Sequence, residues 1–331
     1  MSNDNIYVDL LLTNTVQTLP NDRVPVKFSL NQSQNIVDDT TGYELSVIRF
    51  SLNTETLPIF IPHMKESNSF TTIYSCTFEY NGIIFQQYME FIPQNSNPID
   101  KEEEFYVYSY QYVVYLFNNM LKDCLLALND ISDTGISVAP IMFFNTETQI
   151  CGMSMDSTEY GFNEDGKINI SMNTQMYALL STLPASMIHS SLGRDYQLNN
   201  MISSNPDVLV QEYATVELWN PVASIVFTTN TLPIYTTNTA PIQVYVDGKL
   251  SESNSTYNFL NIMTDFIGND LIFTPFVEYA PSIYRFLSIK QGVSIRNIDL
   301  QVLWMNRNDG QLRPLYLIPG GSCSVKLYLK K

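Results

Sequence analysis

Asp133-Thr134-Gly135 is the tripeptide on which aspartic proteases build two carboxylates that share one proton. That chemistry needs a second loop facing the first, and no other Asp-Ser/Thr-Gly exists in the chain. Ser132 and Ile136 also stand where an apolar and a small residue are usual. A polar turn after a helix is the plainer reading. The overlapping Asp130-x-Ser132-x-Thr134-Gly135 imitates the opening of a calcium loop, but Ile141 occupies the position that needs a glutamate. His189-Ser190-Ser191 sets a base beside hydroxyls, yet a triad needs three groups converging from defined turns, and no Gly-x-Ser-x-Gly elbow is present. His63 follows Pro62 in a loop-like stretch. Asp100 to Glu104 is an acidic run broken by Lys101, without the oxygen spacing of a calcium site. Cys76, Cys124, Cys151 and Cys323 form no Cys-x-x-Cys pair and are expected to be buried free thiols. Phosphate-cradling glycine motifs are absent. No catalytic, cofactor-binding or metal-ligating residue is assigned; the chain is expected not to be an enzyme and to need no cofactor.

Composition points to surfaces rather than to reactions. Of 331 residues only 15% are charged, against about 25% in an average soluble domain. Asparagine (31 residues), threonine, serine and tyrosine (21 residues) take their place, which suits turns and surfaces that neighbours cover. The net charge of −16 repels polyanions, and no cluster of Lys or Arg offsets it, so direct nucleic-acid binding is not expected. The opening Met-Ser-Asn-Asp-Asn has neither a basic nor an apolar signal region, and no apolar run of about 18 residues exists. Neither a signal peptide nor a membrane span is expected.

The elements that must build such surfaces are mostly strands. Ile6, Val8, Leu10 and Leu12 alternate with polar positions, as do Ile298, Leu300, Val302 and Trp304, and Val325, Leu327 and Leu329. Further strands are expected at 24–30, 43–52, 70–80, 83–91, 141–144, 149–155 and 167–172. Ala214, Val216 and Leu218 read as another. Asn81-Gly82 marks a tight hairpin, since both residues tolerate positive φ. Asp165-Gly166, Asn308-Asp309-Gly310 and Pro319-Gly320-Gly321 mark further reversals. One main amphipathic helix is expected near 109–129, with Val113, Leu116, Phe117, Met120, Leu121, Cys124, Leu125 and Leu128 on one face and Ser109 as N-cap. A short helix over 172–183 ends at Pro184, and 185–206 reads as an irregular loop. This is an all-β chain: a jelly-roll β-sandwich with an additional β-rich domain and one main helix.

Phe50 to Ile59 and Phe227 to Ile234 share the pattern Phe…Asn-Thr…Leu-Pro-Ile. That echo suits two related β domains, or marks a strand end twice. A domain break is placed near 205, giving 1–205 with the helix and 206–331 as a β-sandwich. The alternative is one jelly roll built from both ends with the middle as an insertion.

Gly42-Tyr43-Glu44-Leu45-Ser46-Val47-Ile48-Arg49-Phe50-Ser51, followed by Leu57-Pro58-Ile59-Phe60, resembles the start of penton (vertex) capsid proteins of virophages and Polinton-like double-stranded DNA viruses. Ile298–Trp304, Asn308-Asp309-Gly310, Leu315–Ile318, Gly320-Gly321 and Val325–Leu329 resemble their C-terminal strands. Together these segments cover under a quarter of the chain. The resemblance implies a jelly roll assembled as a homopentamer at icosahedral fivefold vertices, touching the major capsid protein and often carrying an outward β domain. It implies a virion location, no cofactor and no enzymatic activity. Adenovirus-type pentons carry Arg-Gly-Asp; here Gly193-Arg194-Asp195 has another order, so integrin binding is not carried over. The alternatives are a double-jelly-roll major capsid protein, which the echo would favour, and a carbohydrate-binding or adhesin-type sandwich, which the many aromatic residues would serve.

Overall fold

The last strand of the chain pairs with the first, and this closes the fold. The computed structural model describes residues 5–15, 22–67, 69–94, 98, 101–188, 193–200, 205–235, 243–246, 249–252, 261–266 and 275–331. Contacts divide the chain into two units, Met1–Pro58 with Pro221–Lys331, and Ile59–Asn220.

Among the described residues, eight strands of the first unit make a jelly roll, with shorter strands beside them: β1 (Asn5–Thr13), β2 (Lys27–Asn31), β3 (Glu44–Asn53), β4 (Val222–Thr229), β5 (Asn261–Phe266), β6 (Phe276–Tyr279), β7 (Asn297–Asn306) and β8 (Ser322–Lys330). One sheet runs β1-β8-β3-β6, and the other holds β2, β7, β4 and β5 in that order. The antiparallel pairs β1/β8, β2/β7, β3/β6 and β4/β5 are successive rungs of one ribbon wound around itself, which defines the jelly roll. Alternation supplies the core: Val8 and Leu10 of β1, Cys323, Val325, Leu327 and Leu329 of β8, and Ile298, Leu300, Val302 and Trp304 of β7 are buried. Phe50 of β3 meets Phe227 of β4 and Phe266 of β5 across the sandwich, with ring centroids 5.2 and 4.9 Å apart. Truncating such a fully buried ring costs about 3–5 kcal/mol.

Two polar clusters pin the strand ends. Buried Asn14, just past β1, donates through Nδ2 to the carbonyls of Asp22 (2.8 Å) and Leu317 (3.0 Å), while its backbone N–H reaches Gly321 (2.9 Å). Asp299 of β7 accepts from the Thr229 and Thr231 hydroxyls (2.8 and 2.6 Å) and from the backbone N–H groups of Asn230 (2.9 Å) and Thr231 (2.7 Å). Partial burial pushes its carboxyl up, but these hydrogen bonds outweigh it and hold the group below the ordinary carboxylate value. The echo is thereby explained. Phe50 and Phe227 belong to opposite sheets of one jelly roll, so the repeated pattern marks two strand ends and not two domains.

The second unit builds on helix α1 (Tyr110–Ile131), whose eight expected apolar residues are all buried. Ser109 occupies the N-cap in extended conformation without a side-chain cap bond. Beneath the helix lies a sheet containing the hairpin Thr71–Tyr80 and Ile83–Glu90, turned by Asn81 and Gly82 at φ 49° and 79°. A three-stranded sheet, Asp207–Val210, Ile150–Met155 and Ile141–Asn145, contacts the same helix. Asn118 of α1 latches it by donating to the Met142 carbonyl (3.0 Å) and accepting from its N–H (2.7 Å). Trp219 packs among Phe60, Tyr110, Phe117 and Phe144 at 5.8–6.4 Å and donates through Nε1 to the Leu179 carbonyl (2.9 Å).

Three expectations are revised. The boundary at 205 falls inside the second unit, and the division into units follows the stated alternative, one jelly roll built from both ends with the middle inserted, because strands within residues 5–53 take their partners from residues 276–330. Ala214, Val216 and Leu218 do not form a strand: Thr215–Trp219 is a helical turn that buries Val216 and Trp219, three apart, and exposes Leu218. The stretch 185–206 includes two short paired strands, Ala185–Met187 and Tyr196–Leu198.

The Asp299 cluster gives a pH signature. A lowered folded value means that its stabilisation is complete above the unfolded value near 4 and is lost as pH falls through the folded one. Asp299→Asn is expected to cost about 1–2 kcal/mol near neutral pH. In thermal melts from about pH 7 to about pH 3, the gap between wild type and variant should close on the acid side; a gap independent of pH would refute this role.

Candidate assembly surfaces

The residues singled out for chemistry are dispersed and tied into the fold. Thr134 hydrogen-bonds through Oγ1 to Asn129 Oδ1, and Asn129 Nδ2 donates to the Ile136 carbonyl (2.8 Å), so the Asp133-Thr134-Gly135 turn closes the end of α1 with Gly135 at φ 71°. The hydroxyl that a calcium loop would turn to a cation is spent on this cap. His63 Nδ1 lies 3.2 Å from the Tyr74 hydroxyl, whose pKa burial raises to about 12. His189 to Ser191 and Asp100 lie outside the described residues, while Lys101–Phe105 forms a 3₁₀ turn with Glu103 buried. Arg194 pairs with Glu79, and Asp195 accepts from the Thr174 hydroxyl (2.6 Å) and N–H (2.9 Å), so both charged groups of Gly193-Arg194-Asp195 are bound within the fold. Among the described residues, no group of three or more His, Cys, Asp or Glu side chains is arranged to hold a metal ion, and no helix is long and apolar enough to cross a membrane.

All four cysteines are buried and free. Burial pushes the thiols of Cys151 and Cys323 up to about 12 and that of Cys76 well above its ordinary value.

What remains is surface, and it differs between the units. The inward residues of β1 were legible from their alternation; the complementary outward ones were passed over. Tyr7 and Leu11 are 54% and 73% exposed. Register places Tyr7 opposite Tyr328 and Leu11 opposite Ser324 of β8. The two tyrosines stack at 4.8 Å, Lys326 pairs with Asp9 at 3.2 Å, and Phe286 lies 5.8 Å from the Tyr328 ring. Exposed Ile283 and Tyr284 precede Phe286. Lys326 and Lys330 stand over Tyr7 and Phe286 at 5.7 and 5.4 Å. The outer side of this sheet is therefore apolar, aromatic and cationic at once. The β1 edge also has no partner strand beyond β8 among the described residues.

Charge is divided unevenly. Residues 59–220 contain 19 Asp and Glu against 5 Lys and Arg, so they carry −14 of the net −16, and the jelly roll only −2.

Burial of the cysteines is directly testable. Native protein is expected to release no thiolate to a chromogenic disulfide reagent within minutes at pH 8, and all four thiols after denaturation. Rapid labelling of native protein would contradict the packing described.

Comparison with known proteins follows the same outline. The family model described as Sputnik minor capsid protein V18/19 matches residues 6–331. A curated Sputnik virophage protein named uncharacterized protein V18 is 29% identical over 160 residues, covering 42% of this chain and 92% of its own. A chain in the cryo-EM structure of the Sputnik virophage aligns with TM-score 0.81 and 23% identity, covering 100% of this chain and 98% of that one. The mavirus penton protein aligns with TM-score 0.68 and 18% identity, covering 98% and 99%.

Proposed function

The chain belongs to the Sputnik minor capsid protein V18/19 family and is thus a capsid component of the virion, and from that premise we propose that it is the penton subunit. Five copies close into a ring at each icosahedral vertex and contact the major capsid protein around it. The observation that carries this reading is the single jelly roll interrupted between β3 and β4 by a large folded unit, an architecture that matches the mavirus penton protein along nearly its whole length. A double-jelly-roll major capsid protein would need a second wound set of eight strands; the described residues of 59–220 instead set a six-stranded and a three-stranded sheet against α1. The role is structural, with no catalytic step.

A ring of five requires a heterologous contact, one face of a subunit meeting a different face of the next. The jelly roll suits it because copies at −2 repel each other little. Its outer β1/β8 face offers Leu11 and Tyr7 as apolar contacts, with Lys326 and Lys330 beside them. The inserted units, at −14 each, oppose closure at low salt.

Light scattering is therefore expected to give a mass of about 190 kDa, five times the 37.8 kDa chain, with the ring fraction rising with ionic strength. Leu11→Lys is expected to leave single chains with an unchanged melting temperature. A variant that still forms rings would remove the β1 face from the contact, and a stable trimer of the wild type would overturn the vertex reading.

A further inference from the structure

The three-stranded sheet of the inserted unit buries one face, against α1 at Ile141–Asn145 and against the Thr215–Trp219 turn at Ile150–Met155, and among the described residues it carries exposed apolar side chains on the other. Its register fixes which residues share the open face. Ile141 pairs with Ser154, which pairs with Val208; Phe143 pairs with Gly152, which pairs with Val210. Directly paired residues point to the same side of a sheet. Ile141, Val208 and Val210 are 54%, 49% and 48% exposed, whereas Met142, Cys151, Met153 and Leu209 on the opposite side are buried. Gly152 is required by this arrangement: a Cβ there would lie 2.4 Å from Phe143 Cζ and 2.8 Å from the Leu209 carbonyl oxygen. With the glycine, the Phe143 ring lies over the middle strand, on the face that also carries Ile141, Val208 and Val210, and these four residues form one apolar strip.

The strip has a charge frame of one sign. Neither 141–156 nor 205–219 contains a Lys or Arg. Exposed Glu147 lies in the turn beyond Asn145, and exposed Glu212 follows Gln211, whose N–H bonds to the Cys151 carbonyl (3.1 Å), so both belong to the same end of the sheet. Asp156 follows Met155 at the other end. An apolar strip between acidic ends, on a unit of −14, repels nucleic acid, anionic membrane and the same unit of a second copy. Its complement is apolar in the middle and basic at both ends.

We infer that the Ile141–Phe143–Val208–Val210 face docks an extended apolar segment of another protein that is flanked by Lys or Arg. This is a contact separate from fivefold closure and does not depend on it. Apolar burial supplies the affinity, and the acidic ends set orientation and reject anionic partners.

The test uses the full chain and two labelled nonapeptides. One has three valines alternating with two threonines between pairs of lysines; the other replaces the lysines with glutamates. Fluorescence anisotropy is expected to show binding of the lysine peptide, weakening as salt rises, and none of the glutamate peptide. The double variant Val208→Thr with Val210→Thr retains strand-forming, near-isosteric residues, and should lose about tenfold in affinity with its melting temperature unchanged. Equal binding of both peptides, undiminished binding by the variant, or no binding of the lysine peptide would overturn the inference. So would a self-association of wild type that the variant abolishes, since the occupant would then be a second copy. Ring formation measured on the same samples reports separately on the penton reading.

Discussion

The pairing of β8 with β1 on one side and β3 on the other is the constraint on which the rest depends. It brings the two terminal strands side by side in one sheet, β1 at the edge and β8 inside it, and the other rungs of the jelly roll extend from that pairing. Once β1, β8 and β3 are in register, Phe50 is aimed at Phe227 and Phe266, and the second sheet has a core to close on. The cost of holding strands so distant in sequence is mainly loop entropy, which grows only logarithmically with length. That is why a whole folded unit can sit between β3 and β4: the loop it replaces was already a loop, and lengthening it adds little.

Much of this was legible locally. Alternation marked the strands that bury one face, Asn81-Gly82 marked the hairpin, and the eight apolar positions of α1 marked the helix, because each signal is carried by neighbouring residues. The pairing was not legible. Nothing in Val8 or Leu10 says that the partner is Leu327 or Val325, so the boundary was drawn at 205, after a polar irregular stretch and inside a unit that the contacts keep whole, with the insertion arrangement standing only as the alternative. Ala214 to Leu218 failed for a related reason: three alternating residues fit both periods, and burial of Trp219 decided for a helical turn. The outward face of β1 and the strip around Gly152 were missed because surfaces are defined by the residues left over after the core is assigned. Their sequence signals were Tyr7 and Leu11, at positions where alternation calls for polar residues, and the unbroken apolar runs Ile141–Phe144 and Val208–Val210.

The division of charge links the fold to the capsid role. A chain of low charge density suits burial against neighbours, yet −16 has to be placed somewhere. Keeping −14 on the inserted unit leaves a jelly roll that copies can approach, while the inserted units discourage unselective association with polyanions. On the proposed reading, assembly and selectivity fall to different bodies of one chain.

The central claim is the position of this chain in the particle. Icosahedral reconstruction of capsids assembled with a chain that carries a small folded tag in the Asn81-Gly82 turn addresses it directly. Tag density confined to the fivefold vertices, five copies at each, is what the account predicts. Tag density on the facets, in the capsomers between vertices, would contradict it.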